Sequence, residues 1–143
     1  MRLWDYKILE YLPNGQLLAQ KRECDLILKD RWNGKKTNHI LINYIYEYSD
    51  ISFTIYYTKL YREFKARGFK FNDKYGVVND LLDNGLCCFN RHHNNDYLTI
   101  CYYNLKEKYL RGQKDFTKEV WDRLDGFYKQ HLKLLDKDKK DTI

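Results

Sequence analysis

The chain has 143 residues, the size of one domain able to bury about two-thirds of its unfolded surface. Its 43% hydrophobic and 17% aromatic residues supply a core and its 32% charged residues a polar exterior, which excludes a chain disordered throughout. A net charge of +6 and a pI near 9.0 favour a polyanion as partner, because neutralising phosphates releases condensed counterions.

Pro13-Asn14-Gly15 is a turn signal, after which Leu17, Leu18, Cys24, Ile27 and Leu28 recur at helical spacing and predict a helix to about residue 30. Residues 31–38 (RWNGKKTN) read as a basic loop. Residues 39–48 (HILINYIYEY) are apolar without clean periodicity and fit a short helix or an extended segment. From Ser49 or Asp50 as cap, Phe53, Tyr56, Tyr57, Leu60, Tyr61 and Phe64 follow one helical face until Gly68 ends it. Between 69 and 94, Gly76, Gly85 and several Asn and Asp interrupt the pattern and leave room for one short helix around 77–82. Asn94 or Asn95 caps a helix carrying Leu98, Cys101, Tyr102 and Leu105, and a last helix runs from 117 to about 135 through Val120, Leu124, Phe127 and His131. No strand alternates convincingly. The expectation is an all-α, single compact domain over residues 1–135 with a solvated tail, 136–143 (DKDKKDTI).

Tyrosine is abundant, at 14 residues, and suits core edges and base stacking, although an AT-rich coding sequence would produce the same bias. Cys24, Cys87, Cys88 and Cys101, with no signal peptide and no apolar run long enough to span a bilayer, point to a reducing cytoplasm and free thiols. Cys87-Cys88 with His92-His93 is the one candidate metal cluster, but adjacent pairs diverge on most backbones and the spacing is not that of a zinc knuckle. Buried thiols and ordinary loop histidines account for it better. GxGxxG, GxxxxGK[ST] and GxSxG patterns are absent, which removes the commonest nucleotide and serine-hydrolase signatures.

On the first helix, Gln16, Ala19, Glu23 and Leu26 lie near one stripe with Arg22 beside it, so a polar patch interrupts an element that otherwise faces the core. A carboxylate there is either salt-bridged or functional, and the residues by themselves favour the salt bridge. Lys35 and Lys36, with Arg31 nearby, suit phosphate contact or a solvated turn. Trp4 and Trp121 fit core or edge packing better than base-stacking wedges, and His39 fits a hydrogen-bonded structural role better than acid–base work.

The opening MRLW, then LLAQKRE, GKKTNHI, FTIYYTKLYREFKARGF and HHNNDYLTICYYNLKEK, resemble in order the pyrimidine-dimer DNA glycosylase family, of the phage endonuclease V type, over roughly residues 1 to 110. The opening also resembles a bacterial branch that begins MRLW and continues with LP and QLL before an Arg-Glu pair. The resemblance implies an all-α domain whose own N-terminal amine attacks the deoxyribose C1′ of a damaged nucleotide. The base leaves as a sugar imine forms, and β-elimination then cleaves the strand. An α-amine ordinarily titrates about two to three units below a lysine, so no catalytic lysine is needed, and no cofactor or metal is expected. The implied partner is double-stranded DNA containing a damaged or modified base, and the implied protein a cytoplasmic monomer with no membrane attachment.

Carried over by position, Glu23 matches the family's essential acid, Arg22 its basic neighbour, Arg2 the arginine after the nucleophilic residue and Lys108 a further basic position near DNA. Gln16, Lys21, Arg31, Lys35 and Lys36 complete the expected DNA-binding set. Because the Arg2 side chain is large, Met1 is not expected to be removed, and the nucleophile becomes the amine of Met1. The spacing to Glu23 is one residue longer than in the phage prototype, and the Pro13-Asn14-Gly15 turn can absorb it. A basic position after the Arg-Glu pair is Leu26 here. Two alternatives stay open: a nonenzymatic DNA-binding module of the same fold, and a glycosylase for a modified base.

Overall fold

A computed structural model describes residues 1–82 and 85–141. Its regular structure is four α-helices, α1 (Asn14–Trp32), α2 (Asp50–Ala66), α3 (Asn95–Leu110) and α4 (Lys118–Asp141), with two 3-10 helices, Tyr6–Tyr11 and Asn43–Glu47, and no strand among the described residues. The all-α expectation is therefore met. No helix among the described residues is long and apolar enough to cross a membrane.

The clearest periodicity gives the cleanest helix. Phe53, Tyr56, Tyr57, Leu60 and Phe64 of α2 are all buried, and full burial of each such side chain is worth about 1.5–3 kcal/mol. Gly68 ends the helix at φ +76°, a left-handed conformation that L side chains rarely adopt, while Phe69 N–H reaches back to Phe64 O at 2.8 Å. α1 begins inside the expected turn, at Asn14, and buries Leu17, Gln20, Cys24, Ile27 and Leu28. Leu18 is exposed instead, because it stands about 100° round the helix from Leu17. The buried face of α1 also includes the polar side chain of Gln20.

The first twelve residues carry no periodic signal, yet they run through the middle of the molecule. Leu3, Ile8, Leu9 and Leu12 are all buried, and the 3-10 helix Tyr6–Tyr11 packs against both α2 and α4. Asp5 caps it by accepting the Lys7 N–H at 2.9 Å, and pairs with the Lys7 ammonium at 3.1 Å. α1 packs on α2, and α3 on α4. The ambiguous segment 39–48 resolves into a 3-10 helix over Asn43–Glu47, pinned by buried Ile42 and Ile45.

Two expectations fail locally. No helix forms around 77–82, because side-chain acceptors capture the N–H groups that a helix would use. The Asp73 carboxylate takes those of Val77 and Val78 at 2.8 and 3.0 Å, and the Thr58 hydroxyl takes that of Asn79 at 3.1 Å. α4 does not stop near 135 but continues to Asp141, because its alternating Lys and Asp contain no Gly or Pro to break it. Residues 136–139 are exposed along it, and residues 142 and 143 of the expected tail lie outside the described residues.

Candidate active site at the chain terminus

A buried extended segment without a sheet must find its hydrogen bonds among side chains. Residues 2–6 do so. Gln20, itself only 1% exposed, donates through Nε2 to Arg2 O at 3.0 Å and accepts the Trp4 N–H at 2.7 Å through Oε1. Tyr56 OH donates to Trp4 O at 2.7 Å, and Tyr97 OH to Leu3 O at 2.5 Å. Burial pushes both phenol pKa values up, so these groups stay protonated donors. Further along, Asp5 N–H points to Cys101 Sγ at 3.5 Å and Tyr6 N–H donates to His93 Nδ1 at 3.3 Å. The chain terminus is thus laid in a fixed track over α1, α2 and α3.

That track delivers Met1 and Arg2 to a cleft of about 240 Å³, which Gln16, Ala19, Gln20 and Glu23 of α1, Leu41, and Asn104 and Lys108 of α3 complete. Glu23 makes no ion pair among the described residues; its Oε2 accepts the second Gln20 Nε2–H at 3.1 Å. One amide therefore ties the Arg2 backbone and the Glu23 carboxylate together, and the salt bridge favoured by the residues alone is not formed. Two cationic side chains, Arg2 and Lys108, share the cleft with this single carboxylate, a balance suited to a phosphate-bearing ligand. The Arg2 guanidinium also lies 6.0 Å from the Tyr97 ring centroid. Gln16 is held to Gln113 at 3.0 Å, which joins α1 to the loop between α3 and α4.

Of the residues singled out in the sequence, Met1, Arg2, Gln16, Glu23 and Lys108 meet at this cleft. The other cationic residues expected at DNA lie elsewhere. Lys21 is engaged with Asp25 at 2.6 Å and Asn72 O at 2.9 Å, and its ammonium sits 4.6 Å from the Phe71 ring centroid. Arg22 is exposed beside a second, wider cleft of about 640 Å³ between α1 and residues 70–72. Arg31 pairs with Asp50 at 3.4 Å and lies over Phe53. Lys35 is exposed, and Lys36 lies over the Tyr46 ring.

Trp4 and Trp121 are buried, Trp4 at the wall of the Met1 cleft. Cys87 is exposed and accepts from Tyr6 OH at 3.3 Å, whereas Cys88 is buried. His92 bonds Tyr48 OH at 2.6 Å, and His93 bonds Tyr44 OH at 2.6 Å. The two histidines thus serve aromatic hydroxyls, and no group of three or more metal-ligating side chains comes together among the described residues. All four cysteines are free thiols, and burial pushes Cys101 up to about 12.

Three residues of the site escape the sequence. Gln20 lies four residues after Gln16 and three before Glu23, so helical spacing places it on their stripe, but nothing local marks it as buried. Asn104 has only the α3 periodicity to place it. His39, read from the sequence as a hydrogen-bonded structural residue, has its Nε2 3.4 Å from the Met1 nitrogen.

A family model described as pyrimidine dimer DNA glycosylase matches residues 1–76, which is 76 of 143 residues. No curated protein and no solved structure matches the chain. The matched span contains Met1, Arg2, Gln16, Gln20, Glu23, His39 and Leu41 of the site and stops before α3, which supplies Asn104 and Lys108. With the terminus, the carboxylate and the family match on the same span, the chain belongs to the pyrimidine dimer DNA glycosylase family.

Proposed function

We propose that this cleft is the catalytic site of a DNA-repair glycosylase of the MRLW-type bacterial branch that acts on pyrimidine dimers and also cleaves abasic sites, working as a cytoplasmic monomer. The observation that carries the reading is the convergence of the Met1 terminus and Glu23 on one cleft with Arg2 and Lys108. The Met1 amine attacks C1′ of the target nucleotide, and the bond to the base breaks, with the electron pair leaving on the base. Loss of a proton from nitrogen and opening of the sugar give an imine between Met1 and C1′. Removal of a C2′ proton then expels the 3′ phosphate, and water releases the enzyme from the remaining sugar fragment. Glu23 moves the protons and stabilises cationic character at the sugar, while Arg2 and Lys108 hold phosphate oxygens. C1′ is shielded in stacked DNA, so a nucleotide is turned out, and a distorted lesion lowers that cost.

The test is borohydride trapping of the untagged protein on two duplexes, one with an abasic site and one with a thymine dimer, followed by mass mapping. Adducts at Met1 on both support a dimer glycosylase with lyase activity. An adduct on abasic DNA alone supports the lyase chemistry and overturns dimer specificity, and activity on modified but not irradiated DNA then identifies a modified-base glycosylase. DNA binding without any adduct or base release overturns the enzymatic reading in favour of a binding module.

A further inference from the structure

The loop between α1 and the second 3-10 helix is fastened at both ends. Thr37 N–H donates to Tyr46 OH at 2.7 Å and the Thr37 hydroxyl to Asp30 Oδ2 at 2.7 Å. Two residues on, His39 N–H donates to Asn43 Oδ1 at 3.0 Å, while His39 O accepts from Ile42 and Asn43 N–H at 3.0 Å each. Together with fully buried Ile42, these bonds anchor the backbone of His39.

The ring is fixed as well, and its two contacts define its chemistry. Nδ1 accepts the Leu41 N–H at 3.3 Å, and Nε2 lies 3.4 Å from the Met1 nitrogen. A ring nitrogen that accepts a hydrogen bond carries no proton, so the ring N–H belongs to Nε2, the atom that faces Met1. Such an N–H can donate only to a nitrogen with a lone pair. An ammonium has none.

We infer that His39 is a positioning residue for imine formation, its Nε2–H directed at the Met1 nitrogen at the edge of the cleft that Glu23 lines. The inference rests on the reading of Met1 as nucleophile. At 3.4 Å the bond is long and weak, so the lone pair is readily surrendered to an approaching C1′. The charged groups facing the same space are Arg2 from the terminal segment, Glu23 from α1 and Lys108 from α3. Leu41, which supplies the N–H to Nδ1, also lines the cleft, so the loop contributes both a wall and the contact to the amine.

The experiment measures the single-turnover rate of borohydride-trapped adduct formation on abasic duplex between pH 7 and 9, with DNA affinity and melting temperature measured in parallel, for wild type, His39→Leu and His39→Gln. The Gln variant supplies an amide N–H of similar reach but no titrating ring. The Leu variant should form adduct about fivefold more slowly at pH 7, the usual worth of one hydrogen bond, and the deficit should close by pH 9, where an ordinary α-amine is unprotonated without help. The Gln variant should stay within about twofold of wild type, and affinity and melting temperature should be unchanged in both. A Leu variant as fast as wild type at pH 7, a deficit that persists at pH 9, or a Gln variant as slow as Leu each overturns the inference. Wild-type adduct that maps away from Met1, or no adduct, overturns the nucleophile assignment and this inference with it; adduct at Met1 with unchanged variants overturns this inference alone.

Discussion

Gln20 is the residue on which the geometry of the cleft most depends, because its single amide bonds the Arg2 carbonyl, the Trp4 N–H and the Glu23 carboxylate. Replacing it by Leu keeps the volume but leaves the Trp4 N–H and Arg2 carbonyl without partners. Each orphaned group costs about 1–3 kcal/mol, so Gln20→Leu should lose about 2–6 kcal/mol, read as a lower urea midpoint. Glu23→Gln behaves differently, because an amide oxygen still accepts the Gln20 N–H. Its melting temperature should stay that of wild type while strand cleavage falls by about a hundredfold or more, the usual worth of a positioned acid or base. Full cleavage in that variant would remove Glu23 from the mechanism. Glu23 stands out in the sequence as part of a polar patch on an otherwise core-facing helix. Its partner Gln20 does not, because a buried glutamine is distinguished only by what surrounds it.

Among the helices, α3 shows how a local signal reaches the site. Asn94 Oδ1 accepts the Tyr97 N–H at 2.9 Å, fixing the first turn of the helix that carries Tyr97, Cys101, Asn104 and Lys108. Asn94→Ala should cost about 1 kcal/mol, a fall in melting temperature of about 3 °C, without changing cleavage measured well below the transition. Ser49 makes no side-chain bond to α2, so Ser49→Ala should move the melting temperature by less. Both caps are readable from residue type and the apolar run that follows, but only coordinates separate the one that bonds from the one that does not. The missing helix around 77–82 makes the same point in reverse: the apolar pattern is present, but the Asp73 carboxylate outcompetes the helical carbonyls for the N–H groups of Val77 and Val78.

For the whole molecule, the buried histidine couples stability to pH. Burial, then the charges of Lys7 and His92, lower the pKa of His93 from 6.5 to about 3. Its Nδ1 already accepts the Tyr6 N–H, so a second proton there would face another donor. As pH falls below 6.5 the unfolded chain takes up a proton that the folded chain refuses. The stabilisation is therefore complete above pH 6.5 and lost progressively toward pH 3, by up to roughly 1.4 kcal/mol per pH unit. His131, also lowered by burial, acts in the same sense, while Asp5, raised by burial, opposes it in the carboxylate range. Urea midpoints between pH 6.5 and 5.5 should fall in the wild type, and the slope should be much flatter in His93→Gln. An equal slope in both would assign the effect to other groups.

The sequence by itself determined the all-α class, the starts of the four α-helices, the basic character and the Arg-Glu pair on the first helix. Those features are local, set by a 3.6-residue period, by caps and by charge. Only the tertiary structure decided that the patternless first residues run through the core, and that Met1, Glu23 and Lys108 share a cleft while Lys21, Arg22, Arg31, Lys35 and Lys36 stand apart from it. The physical reason is separation along the chain. The contacts that build the site join Trp4 to Gln20 and Tyr56, Leu3 to Tyr97, and Met1 to His39, across 16, 52, 94 and 38 residues, where no local propensity records them.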